Sequence, residues 1–130
     1  MPKISSDDAI ELAKQFKESA IVLGQFQLDR WDNLSKAERR NLTDVEYTLL
    51  DHSQNLVTYA VGKRLDDAEA SLQDIKNATA QANATVKTIK DIKKVITIAT
   101  ALVTLGATIY TANPGGIATA VGGVLKAVKG

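Results

Sequence analysis

Val95-Ile-Thr-Ile-Ala-Thr-Ala-Leu-Val-Thr-Leu-Gly-Ala-Thr-Ile-Tyr-Thr-Ala112 runs for eighteen residues without a charge, and Asn113-Pro114-Gly115-Gly116 follows it. Its threonines, Thr97, Thr100, Thr104, Thr108 and Thr111, are spaced three, four, four and three. At about 100° per residue they share one arc of about 80°, which is helical spacing and not the alternation of a strand. The opposite side carries Val95, Ile98, Ala99, Leu102, Leu105, Gly106 and Ile109. The stretch is thus a helix amphipathic without charge, one face hydroxyl and the other aliphatic. Proline does not continue a helix and the glycines take backbone angles that other residues avoid, so Asn113 to Gly116 predicts a turn. A shorter helix over 117–128 returns from it, with Ile117, Val121, Val124 and Val128 on one side.

Working toward the N-terminus, Leu65, Ala68, Leu72, Ile75, Thr79, Ala82, Val86 and Ile89 alternate steps of three and four, the signature of helix packed on helix. That register crosses the small, polar stretch 77–85 intact, which favours one long helix over two joined by a turn. Val45, Leu49, His52, Leu56 and Ala60 mark a second buried stripe. Ser35 with Glu38 and Thr43 with Glu46 both read as capping boxes, so the helix before it starts at one or the other. Ser5-Ser6-Asp7-Asp8 caps a first helix over about 7–29, whose stripe is Ala9, Ala13, Phe16, Ala20 and Leu23. Gly24 inside it marks a bend or a close approach. No proline interrupts residues 3–113. The expectation is an all-α antiparallel bundle with long coiled-coil-like helices: an amphipathic body over 1–94 and an uncharged hairpin over 95–130, packed together.

A length of 130 residues supports one core without staples, and 45% hydrophobic against 24% charged residues excludes wholesale disorder. The formal charge of +1 gives no basic surface for nucleic acid. With no cysteine and one histidine, thiolate metal sites, disulfides and cysteine nucleophiles are excluded together. His52 reads as a hydrogen-bonded core-edge residue, with a pH-sensing role as the sharper option. Asp66, Asp67, Glu69 and Asp74 read as a solvated helix face. The glycine pairs follow no strand and lack the P-loop lysine. The expectation is therefore no enzyme, no cofactor, no metal and no small-molecule substrate.

Charge is distributed unevenly. Residues 1–86 hold ten Lys/Arg against fourteen Asp/Glu, residues 87–94 hold Lys87, Lys90, Lys93 and Lys94 against Asp91, and nothing from Val95 through Leu125 is charged. An acidic body, a basic collar and an uncharged tail follow in order. Lys126 and Lys129 close the tail, so both ends of the hairpin are positive, where anionic lipid attracts them. Eighteen residues at about 1.5 Å reach about 27 Å, just under a hydrocarbon core of about 30 Å. Small residues four apart (Ala112/Gly116, Ala118/Gly122, Thr119/Gly123) are the pattern that lets helices approach closely in lipid.

A heptad-patterned helical body bearing one uncharged hairpin, here Lys87 to Lys129, resembles the α-helical pore-forming proteins: the cytolysin-like bundles of bacteria and the membrane-permeabilising bundles of cell-death effectors. The resemblance is architectural. It implies a soluble bundle that hides its hairpin, releases it into a bilayer and oligomerises there as a toxin or cell-death effector. On that reading the partners are further copies of the chain and an anionic membrane, with Lys87, Lys90, Lys93 and Lys94 docking, the threonine face lining the polar side, and Asn113, Pro114, Gly115 and Gly116 forming the tip. The charged N-terminal segment carries no apolar signal core, so the expected location is the cytoplasm, then the membrane on activation. The competing expectation is a soluble assembly module, an adaptor or structural subunit, whose hairpin packs against partner copies.

Overall fold

The computed structural model describes residues 6–56, 72–89, 91–111 and 114–130. They form five helices: α1 (Ser6–Asp29), α2 (Lys36–Leu56), α3 (Leu72–Thr88), α4 (Ile92–Thr111) and α5 (Pro114–Lys129), with a 3-10 turn at Trp31–Asn33. Among the described residues there is no strand, and the fold is an all-α bundle. Each helix packs on two others in the order α1, α2, α4, α5, α3 and back to α1, and α3 also touches α4. The described helices thus close a ring around a single core.

Local chemistry accounts for the helix ends. Ser35 and Glu38 complete their capping box, Ser35 Oγ accepting from the Glu38 N–H at 3.1 Å and Glu38 Oε1 from the Ser35 N–H at 2.8 Å. That cap fixes the start of α2. Thr43 instead lies inside the helix, where its Oγ1 accepts from Gln27 Nε2 at 2.9 Å. The preceding turn is clamped by Arg39, whose guanidinium sits 4.2 Å from the Trp31 ring centroid and donates to the Trp31 carbonyl. Gly24 marks a close approach: a Cβ there would lie 3.0 Å from Glu46 Oε1 on α2.

The core forms along the expected stripes. Leu12, Phe16, Leu23, Leu42, Leu49 and Ile75 are fully buried, and so are Val95, Ile98, Ala99, Leu102, Leu105 and Ile109 of α4 and Ile117 and Val124 of α5. The hairpin therefore completes the core of the body.

The stretch 77–85 is helical throughout and belongs to α3. Its buried face is Ala78, Thr79, Ala82 and Asn83, small enough for α1 to approach closely. The seam is polar: Ser19 Oγ donates to Asn83 Oδ1 at 2.6 Å, and Asn83 Nδ2 donates to the Gln15 carbonyl at 3.2 Å. Most of the segment carrying Leu65 and Ala68 lies outside the described residues, as does Ala60.

Candidate functional site

The hairpin presents two different faces. Inward, the aliphatic side of α4 lies against α2 and α5, and Gly106 there leaves no room for a side chain. A Cβ there would meet the His52 ring, 2.8 Å from Cγ and 2.9 Å from Nε2. The imidazole is held by Nε2 donating to the Val103 carbonyl at 3.2 Å and by the Phe16 ring edge-on, centroids 6.2 Å apart. His52 is half-buried, and desolvation pushes its pKa below the ordinary 6.5, opposed by the Val103 bond and by Asp51. Neutral imidazole is thus the form that fits between α2 and α4. Among the described residues no group of three or more His, Cys, Asp and Glu side chains is placed to hold a metal ion.

Outward, Thr97, Thr100 and Thr104 are exposed and Thr108 is half-buried. Each hydroxyl donates to the carbonyl four residues back, at 3.0 Å for Thr97, 2.9 Å for Thr100 and 3.1 Å for Thr104. Back-bonding spends the hydroxyl proton inside the helix and turns the methyl outward, so this face is less polar than its composition suggests. Thr111 closes α4, and its side chain lies outside the described residues.

The turn differs from its sequence assignment. Pro114, Gly115 and Gly116 form the first turn of α5, because proline at the first helical position gives up an N–H that had no intrahelical partner. Ala112 and Asn113 lie outside the described residues, and α5 extends over Pro114–Lys129 rather than 117–128.

The four lysines of the collar part company. Lys87 lies in the last turn of α3 and pairs with Glu18 of α1, Nζ to Oε1 at 2.9 Å. Lys93 and Lys94 open α4, where Asp91 Oδ1 accepts from both backbone N–H groups at 3.0 and 3.3 Å. Lys90 lies outside the described residues. In place of Lys87, the antiparallel hairpin brings Lys126 beside Lys93 and Lys94, around a cavity of about 470 Å³ whose lining includes Thr97, Ala101, Gly123 and Gly130. Ala101 and Gly123 also line the adjoining cavity of about 510 Å³, with Thr104, Thr108, Gly116, Thr119 and Ala120. One groove thus follows the outer seam of the hairpin, basic at one end and uncharged beyond. Sequence spacing singled out Gly116, Thr119 and Gly123 of its small residues but not Ala101 or Ala120, nor the convergence on Lys126, which depends on how α4 and α5 meet.

By length and composition alone, the stretch Ile92–Ile109 is long and apolar enough to cross a membrane, with a mean hydropathy of 1.6. A comparison with protein-family models, curated proteins and solved structures finds no match to the chain.

Proposed function

We propose that the chain is a self-associating helical protein that docks its α4–α5 hairpin on anionic membranes and inserts it, forming a small pore. The carrying observation is that no charged side chain lies between Val95 and Leu125 on either face of the hairpin, including the outward threonine face. A helix with one side in water ordinarily carries charges there. Each charge taken to the bilayer centre costs about 2.5–3.5 kcal/mol, so their absence on both faces suits a hairpin that leaves water altogether. The uncharged part of α4, Val95–Thr111, rises about 26 Å and that of α5, Pro114–Leu125, about 18 Å, both short of a hydrocarbon core of about 30 Å. The shorter arm favours assembly, in which neighbouring copies cover what one hairpin leaves exposed. This is the behaviour implied by the resemblance to helical pore formers.

A second reading has its own observation: the aliphatic face of α4 is fully buried in the bundle, as in a soluble assembly module. The two separate on dye release from anionic vesicles, with sedimentation of the bound protein to report oligomers. Release with lipid-bound oligomers supports membrane entry. Oligomers that form without lipid and leave vesicles sealed support the soluble module.

A further inference from the structure

Resting on the membrane reading, we infer that the α4–α5 groove takes one anionic lipid molecule, its phosphate among Lys93, Lys94 and Lys126 and an acyl chain along the uncharged floor between Ala101 and Gly116. Charge complementarity picks the occupant. Lys93, Lys94 and Lys126 border the same cavity, and among the described residues none of the three is in an ion pair. The acid beside them, Asp91, is turned onto the N–H groups of Lys93 and Lys94. Asp91 lines the cavity as well and caps the first turn of α4, so the three lysines against it leave a net side-chain charge of +2 around the cavity, which attracts an anion. A bare phosphate would need only that charge.

The rest of the groove indicates a chain. It continues from the basic cavity through Ala101 and Gly123, which line both halves, and is lined beyond them by uncharged threonine, alanine and glycine residues. From Lys94 to Thr108 α4 rises about 21 Å, beyond the roughly 15 Å that one leaflet contributes to the hydrocarbon core. An extended acyl chain fits that length.

Gly123 makes the groove testable without disturbing the fold. A Cβ at Gly123 meets nothing within 4 Å, and the same holds at Gly122. Gly122 lies outside both halves of the groove. Gly123→Leu therefore fills the groove, and Gly122→Leu is a control on the same helix with the same change in composition. Circular dichroism should show that both keep the parent helix content. The probe is dodecanoyl lysophosphatidylglycerol below its micelle concentration, titrated calorimetrically into the full chain. The parent and Gly122→Leu should bind one molecule. Gly123→Leu and Lys126→Gln should each bind about tenfold more weakly or worse, and inorganic phosphate alone should compete poorly. Equal binding by Gly123→Leu, full competition by phosphate, equal binding of the zwitterionic choline analogue, or no binding by the parent would each overturn the inference. Membrane entry is judged separately by vesicle leakage. Leakage by the parent together with equal lipid binding by parent and Gly123→Leu leaves entry standing while this site falls, and lipid binding lost in Gly123→Leu without any leakage does the reverse.

Discussion

His52 and Gly106 are the pair on which the seam between α2 and α4 depends. Ala at position 106 gains about 1 kcal/mol of helix propensity, yet its methyl overlaps the imidazole. Overpacking of this kind costs about 1–3 kcal/mol, so Gly106→Ala should lower the urea midpoint. Adding His52→Ala should recover part of the loss, because it removes the obstructing ring. A Gly106→Ala variant as stable as its parent would contradict the packing. The same ring sets a pH dependence. Its folded pKa lies below 6.5, so the unfolded chain takes up a proton that the folded chain resists. Stability should be full above about pH 6.5 and fall as pH drops through that value toward the lower folded pKa. Asp51 is the charged group acting on the ring from α2; Phe16 of α1 and Val103 and Gly106 of α4 face it uncharged. Glu46, raised above 4.5 by desolvation, acts oppositely and lower: its contribution is present in acid and lost as pH rises through its folded pKa. With one histidine in the chain, urea titrations at pH 7.5 and 5.5 isolate it. His52→Gln should abolish the slope, and an unchanged slope would assign it elsewhere.

At the scale of elements, α3 is where a weak sequence signal meets a specific seam. Ala78, Ala82 and Asn83 offer little area to bury, and the Ser19–Asn83 pair fixes how α1 and α3 register. Ser19→Ala leaves Asn83 Oδ1 buried without that donor. The expected loss is about 1–3 kcal/mol in chemical denaturation, and no loss would mean that water satisfies the amide. The helical register was legible through 77–85 because heptad spacing does not need large residues. The hydrogen-bonded seam was not, because its partners lie 64 residues apart. On α4 the division into two faces was legible from periodicity: the whole aliphatic set is buried, and the described threonine side chains point the other way. The basic collar was legible only as a run of charge. Glu18 comes within reach of Lys87 only once α1 and α3 pack, and Lys87 does not line the cavity shared by Lys93 and Lys94. Chain order gives no hint of such a division. The start of α5 was misplaced because proline followed by two glycines serves a turn and a first helical turn equally well.

For the whole molecule, the ring of helices makes the hairpin part of the fold. Ile98, Leu102, Leu105, Ile109, Ile117 and Val124 are fully buried, at about 1.5–3 kcal/mol each, against a net stability of about 5–15 kcal/mol for a domain. A chain ending at Lys94 should therefore lose cooperative unfolding, which thermal denaturation followed by circular dichroism would show. A sharp transition in that truncation would instead establish the body as an independent domain. The same burial sets the requirement for membrane entry: lipid must replace the core contacts that the aliphatic face leaves. Self-association does not have the α3 stripe at its disposal, since Ile75 and Val86 are buried within one copy. The exposed Ile10, Ile21 and Leu28 of α1, aligned within about 20°, remain outside the core. Because the chain has no cysteine, a single Thr104→Cys carries one environment-sensitive dye on the exposed face of α4. Adding anionic vesicles should shift its emission to the blue and expose it to quenchers carried deep in the acyl chains. An emission unchanged while the protein sediments with the vesicles would contradict insertion of the hairpin.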